Sequence, residues 1–326
     1  MNGASSALAD LAAAGSSPAR LAWGRLRQDR LAMSGLVVLL LLLVIAVAGW
    51  LVTSAASPLA MSSMDPATVR LTDKLAAPFT PASALIAESE QPLGGYYLMG
   101  TDELGRDVFA RMLQGAPVSL LIGFVAVGIA LVVGVLVGAT AGYFAERKAL
   151  GLSVDTVLMR ITDAMLCFPT FFLILTVVAL LPASIYNIMV VIGLTSWMST
   201  ARFVRAEVLS LKNRDFVAAA RAMGLGAPRI IWAHVLPNAM SPVLVTATIG
   251  VATAILTESA LSFLGFGVQP PDATWGNILS DGKAFIFDAP WLFFIPGIAI
   301  LAVVLAFNLL GEGLREALDP RLRRFR

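Results

Sequence analysis

The feature that most constrains this chain is the length of its uncharged apolar runs. Met33 to Thr53 carries no charged residue, and neither does Ala164 to Ala201. A helix over the first run spans ~31 Å, enough to cross the ~30 Å hydrocarbon core of a bilayer. A cleavable signal peptide is the alternative for that run, but it is too long and starts too late. Of the 326 residues, 58% are hydrophobic and 13% charged, against roughly 25% charged in a soluble domain. The chain lacks the polar surface to stay in water.

Six spans are predicted, at 33–53 and at about 118–142, 163–182, 185–202, 240–259 and 291–311. Leu181-Pro182-Ala183-Ser184 supplies a tight turn between the third and fourth. Trp50, Trp197 and Trp291 fall near span ends, where amphipathic rings settle. Residues 1–19, rich in Ala, Ser and Gly, are expected to be disordered. Arg20, Arg25, Arg27 and Arg30, interleaved with Leu21, Trp23, Leu26 and Leu31, suit either a surface-lying helix or a solvated basic lead-in. The expected organisation is a tail and surface helix over 1–32, a first span over 33–53, an external loop over 54–117, a five-helix core over 118–311 and a tail over 312–326.

Orientation follows from Lys and Arg. The termini and the loops 143–162 and 202–239 hold 18 of them, the loops 54–117 and 260–290 only five. The excess marks the cytoplasmic side, so both termini are expected there. Loop 260–290 carries only Lys283, which decides the assignment. The arginines flank apolar spans and form no separate basic domain, which argues against a nucleic-acid partner. The one cysteine, Cys167, leaves no internal disulfide and reads as a packing residue. The one histidine, His234, has no ligand cluster around it in the sequence, so no metal site is expected. Gly276 to Lys283 does not meet the phosphate-loop pattern: five residues separate Gly276 from Gly282, and Ala284 follows the lysine.

Gly134, Gly138 and Gly142 share one helix face and predict a close helix–helix contact. Asp163, three residues after Arg160, reads as its same-face pair. Glu258 is the only charge between Arg229 and Asp272. A carboxylate within a bilayer must face the bundle interior or a wet cavity, so Glu258 is a candidate pore or gate residue, with Thr257 or Ser259 as structural partners. Asp102 and Glu103 suit a helix start. The segment is either a capped helix entry with Arg106 and Asp107 neutralising each other, or a contact for an external protein or the pore rim.

The stretch 202–238 carries the clearest functional signal. Asp215 is placed to cap a short helix ending near Met223, with Gly224 taking the left-handed conformation that ends it. A second helix runs from Pro228 to about Val235, and Pro237 opens the fifth span. The alanines at 218, 219, 220 and 222 make a narrow helix able to enter a groove on another protein, with Arg221 and Arg229 as polar rim. The bland alternative is an ordinary loop, but a loop this long in a tight bundle is usually functional or disordered.

This segment resembles the coupling motif of ABC-importer permeases. Ala219, Ala220, Gly224, Leu236 and Pro237 match in type and spacing, while Ala218 stands where Glu is usual. Gly100-Thr-Asp-Glu-Leu-Gly-Arg-Asp107, Ala260-Leu-Ser-Phe-Leu-Gly-Phe-Gly267, Pro270-Pro271, Trp275-Gly276, Phe307 to Arg315 and Leu318-Asp-Pro320 extend the likeness to the second, C-type permease of the dipeptide, oligopeptide and nickel importers. The resemblance implies an all-α, six-span type I importer fold in a bacterial inner membrane. It implies partners as well: a related sister permease, two ATPases that hold ATP and magnesium, and an external solute-binding protein. The ATPase-coupling residues it implies are Asp215, Ala218, Ala219, Ala220, Arg221, Gly224, Leu225, Leu236 and Pro237. Peptides are the implied cargo, with nickel chelates or glutathione-like solutes as alternatives. A secondary transporter would need ionisable groups within its spans, and only Glu258 qualifies. An intramembrane enzyme would need a nucleophile–base pair or metal cluster, which the sequence does not offer.

Overall fold

In a computed structural model the described residues are 18–54, 56–87, 90–149 and 151–318. Most of the expected disordered segment, and the C-terminal residues from 319 on, lie outside them. Helix α1 (Pro18–Leu26) precedes α2 (Arg30–Thr53). Asp29 separates them and caps α2, accepting from the Leu31 and Ala32 amides at 2.9 and 3.2 Å. Then come α3 (Val108–Tyr143), α4 (Val154–Leu166), α5 (Thr170–Leu180), α6 (Ile185–Leu194), α7 (Trp197–Leu211), α8 (Asp215–Ala222), α9 (Ala227–Ile230), α10 (Leu236–Phe263), α11 (Trp275–Gly282) and α12 (Trp291–Leu318). Two tiny antiparallel pairs, β1 (Thr80–Pro81) with β2 (Tyr96–Tyr97) and β3 (Lys148–Ala149) with β4 (Leu152–Ser153), and a few short 3-10 turns lie between the helices.

Helices α2, α3 and α12, and α10 from Pro242, are each long and apolar enough to cross a membrane. The expected third span is instead the pair α4–α5, bent by 80°. Pro169 in the break explains it, because proline keeps the preceding residue out of helical geometry. The expected fourth span is split between α6 and α7. Thr195 and Ser196 donate their hydroxyls back to the Val191 and Ile192 carbonyls at 2.7 Å, a local alternative that competes with helix continuation. The second span begins at Val108, ten residues before the apolar run, because Asp107 caps it. The last helix continues to Leu318, so residues 312–318 belong to it rather than to a tail. Trp197 is buried with Met198 and Ala201 and does not sit at an interface.

Helix α3 is the hub, in contact with α2, α6, α7 and α10. Its glycine face meets α7 as the spacing predicts. A side chain at Gly134 would lie 2.6 Å from the Thr200 Cβ, at Gly138 it would collide with the Ala201 carbonyl oxygen, and at Gly142 it would reach 2.9 Å from the Arg205 carbonyl oxygen. Asp163 pairs across helices with Arg202 of α7 at 2.5 Å rather than with Arg160. Arg205 of α7 pairs with Asp155 of α4. Substituting Gly138 by Val should destabilise the bundle by about 1–3 kcal/mol through overpacking. Thermal unfolding of the detergent-solubilised protein checks this; an unchanged midpoint would show that α3 and α7 can separate freely.

Candidate functional site

The segment between α7 and α10 is a packed helical unit. Helix α8 buries Val217 and Ala220, at 0% and 1% exposure, in a cluster with Val204, Val208, Ile230 and Val235. The opposite face presents Phe216, Ala218, Ala219, Ala222 and Met223, with Met223 70% exposed. Ala220 and Leu236 therefore hold the unit to the bundle and are not part of its outer surface. Of the expected coupling residues, these two thus lie in the inner cluster of the unit. Asp215 is exposed in the first turn and makes no side-chain cap; Arg214 occupies the cap position. Arg221 stacks its guanidinium 5.3 Å over the Tyr143 ring. Leu225 is half-buried against the same cluster, and its amide donates to the Ala220 carbonyl at 3.2 Å.

Gly224 has φ +78° with open space around its Cα. The left-handed backbone alone calls for glycine there. Beyond it, α9 passes through a π turn, Ile231–Val235, directly into α10. Pro237, exposed, lacks the amide that an α-helix would require. Asn238 donates its side-chain amide one turn back, to the His234 carbonyl at 2.7 Å. The second short helix is thus one continuous rod with the span after it.

At the other end of the molecule, Asp102 is fully enclosed. It accepts from Arg106 Nε and Arg111 Nη1, both at 2.6 Å. Arg111 also reaches Asp281 of α11 at 3.0 Å. Arg106 is thus neutralised by Asp102 and not by Asp107, which caps α3 by accepting from the Phe109 amide at 2.9 Å. Asp102, Arg106 and Asp107 are all buried, so they cannot be an external contact in this conformation; Glu103 retains partial exposure. At Gly105 (φ +72°), any side chain would collide with the Arg70 carbonyl, so the turn is pressed against the preceding loop.

Glu258 is 0% exposed. Its Oε1 accepts from the Ser262 hydroxyl at 2.7 Å and the Thr274 hydroxyl at 3.0 Å. Thr274 in turn forms a capping box with Asn277 at the start of α11. Ser259 spends its hydroxyl on the Ile255 carbonyl. Glu258 therefore joins α10 to α11 from inside, as the structural alternative expected, and it does not border the cavity of this conformation. The open space lies elsewhere. A cavity of about 500 Å³ sits among α3, α7 and α10, with Ser199, Thr246, Thr253 and Thr257 on its wall.

Residues 134–324 match the family model described as the binding-protein-dependent transport system inner membrane component. The chain belongs to that family. Residues 17–78 match the N-terminal transmembrane domain of oligopeptide transport permease C. The permease is 38% identical to the dipeptide transport system permease protein of Alkalihalophilus pseudofirmus, over 94% of this chain and 91% of that one. It is 35% identical to the oligopeptide transport system permease protein of Bacillus subtilis, over 92% and 88%. To the di/tripeptide permease of Pseudomonas aeruginosa it is 43% identical, over 70% and 73%. Among solved structures, an inward-facing MetNI methionine ABC transporter aligns with TM-score 0.50 at 18% identity, over 64% of this chain and 95% of that one. That likeness concerns the fold.

Sequence reasoning placed the α8–α9 unit of this permease correctly but missed Arg111 and Asp281, which lie far apart in the chain. It also passed over the hydroxyls at 246 and 253 and read Thr257 only as a partner of Glu258, although their spacing of seven and four residues marks one helix face. Burial pushes the Asp107 carboxyl up to about 6. The folded state thus favours its protonated form. The resulting penalty is absent below about pH 4 and complete above about pH 6, amounting to up to about 3 kcal/mol. Asp107→Asn keeps a capping oxygen without the charge. It should match the wild-type unfolding midpoint at pH 4 and exceed it at pH 7. A wild-type advantage at pH 7 would contradict the burial argument.

Proposed function

We propose that this permease is one of two related membrane subunits of an ATP-driven importer, and that its cargo is a short peptide. The observation that carries the coupling half of this reading is the α8 unit: an exposed, small-residue helix braced on α7 and running through α9 into α10. Such a surface suits the groove of a separate ATPase, with Ala218, Ala219 and Met223 making the contact and Arg221 at its rim. ATP and magnesium belong to that partner, and this chain performs no hydrolysis of its own. The charge asymmetry supports cytoplasmic termini and an α8 on the ATPase side. The α11 end then faces the external solute-binding protein. Dipeptide, di/tripeptide and oligopeptide permeases among the relatives support the peptide assignment.

With Cys167→Ser as background, Ala219→Cys should cross-link to an ATPase subunit, whereas Ala220→Cys should not, because residue 220 faces inward. The reverse pattern would move the interface. Gly224→Val strains a left-handed backbone by about 1–3 kcal/mol. It should leave membrane insertion intact and reduce ATPase docking and uptake together; normal docking and uptake would remove α8 from the coupling role.

Cargo is tested by uptake in a strain lacking this chain. Loss of labelled di- and oligopeptide uptake is the expected result, restored by the gene in trans. Unchanged peptide uptake with loss of a nickel chelate or a glutathione-like solute would reassign it.

A further inference from the structure

The cavity among α3, α7 and α10 has a lining chemistry that the family assignment does not specify. Among the described residues its wall carries no His, Cys or carboxylate, and Arg315 is its only charged side chain. A transition-metal cation would find no imidazole, thiolate or carboxylate ligand there. Several hydroxyls on the wall are already committed as donors to the carbonyls of their own helices. Ser196 donates to Ile192 at 2.7 Å, Thr246 to Val243 at 2.9 Å, Thr253 to Ile249 at 3.0 Å and Thr257 to Thr253 at 2.8 Å. What these four groups retain for the cavity is lone pairs. Along α10 the wall therefore presents Thr246, Thr253 and Thr257 as hydrogen-bond acceptors on an apolar ground.

Arg315 defines the polarity of the space. Gly311 of α12 packs against Thr248 and Ile249 of α10. Because α10 and α12 run antiparallel, one turn further along α12 brings Arg315 level with residues near Val245, at the end of the cavity formed by Pro242. The other end is Thr257. A solute rich in N–H donors with one terminal carboxylate complements this arrangement. Acceptors without charge hold such a solute weakly, as passage requires.

From this geometry we infer that the cavity is a transient binding site for the peptide backbone, with Thr253 and Thr257 accepting from the cargo's N–H groups. The inference rests on the peptide reading above, and the test separates the two. The complete transporter, with its sister subunit, ATPases and binding protein, is reconstituted in liposomes. ATP-driven uptake of dialanine is compared with that of its ester analogue, in which oxygen replaces the amide N–H. Failure of the wild type to import dialanine would refute the peptide reading itself.

If the wild type does import it, the double variant Thr253→Val/Thr257→Val should lower the dialanine rate by about three- to tenfold. The double variant Thr253→Ser/Thr257→Ser should retain it. The preference for amide over ester should shrink in the Val variant, because the binding protein is the same in both comparisons and only coupled changes survive the ratio. An undiminished preference would overturn the site. A second readout is independent of the Val variant's folding. In a Cys167→Ser complex, Thr253→Cys should react with a small methanethiosulfonate reagent several-fold more slowly when dialanine is present. Equal rates with and without peptide would overturn the inference while leaving peptide import standing.

Discussion

The structure depends on the backbone contact between α3 and α7. In lipid, apolar side chains gain little by leaving the surrounding acyl chains, so helix association relies on packing that brings backbones close. Gly134, Gly138 and Gly142 allow this, and any side chain at these positions would strike α7. The position of α7 in turn fixes its neighbours. Its Arg202 and Arg205 hold α4 by ion pairs, and its Val204 and Val208 form the floor on which α8 rests. A single glycine face thus positions both a bent pair of helices and the proposed docking helix.

The two ends of the molecule are secured by different chemistry. The α8 end is held by an apolar cluster, with Ala220 and Val217 pointing inward. The α11 end is held by polar groups: the buried Asp102 with Arg106 and Arg111, the part-exposed Asp281 beyond them, and the buried Glu258 with Ser262 and Thr274. Buried ion pairs contribute little net stability against apolar replacements, but losing one partner leaves a costly orphan charge. Their consequence here is geometric. Arg111 ties the first turn of α3 to the last turn of α11, while Glu258 ties the first turn of α11 to α10. Helix α11 is thereby anchored at both ends to two different spans.

Much of this was legible in the sequence, and the failures have physical causes. Continuous apolarity revealed the spans but not their breaks, because Ala164 to Ala201 is charge-free through the Pro169 bend and the Thr195-Ser196 interruption alike. The helix–turn–helix was legible from Pro228 and Gly224, whose left-handed backbone the structure contains. Its facing was also available in principle: Val217, Ala220 and Leu225 mark an inward stripe that the run of alanines obscured. The residues 102–107 were misjudged because Asp281, the partner that closes their network, is separated from Arg111 by 170 positions. Local reading paired Arg106 with Asp107 instead. Glu258 was correctly placed in the interior, yet its role depended on Thr274, a loop residue whose approach no periodicity announces.

The course of α10 connects these local facts to movement. Its N-terminal end is continuous with α9 through the π turn, so no flexible linker separates it from the α8 unit. A π turn also carries a different number of residues per turn than the helix around it, and such insertions can shift register without unfolding the rod. Along α10, Thr246, Thr253 and Thr257 line the cavity, while Glu258, on the adjoining face, engages α11. Force delivered to α8 reaches α7 through their shared core and α10 through the π turn, while α7 stays packed on the glycine face of α3. A displacement of α10 then shifts its hydroxyl-bearing face relative to α3. It must also load the Glu258–Thr274 link, because α11 is held independently to α3 through Arg111 and Asp281. The cavity wall and the α11 anchor are thus joined to the α8 unit through one span, α10.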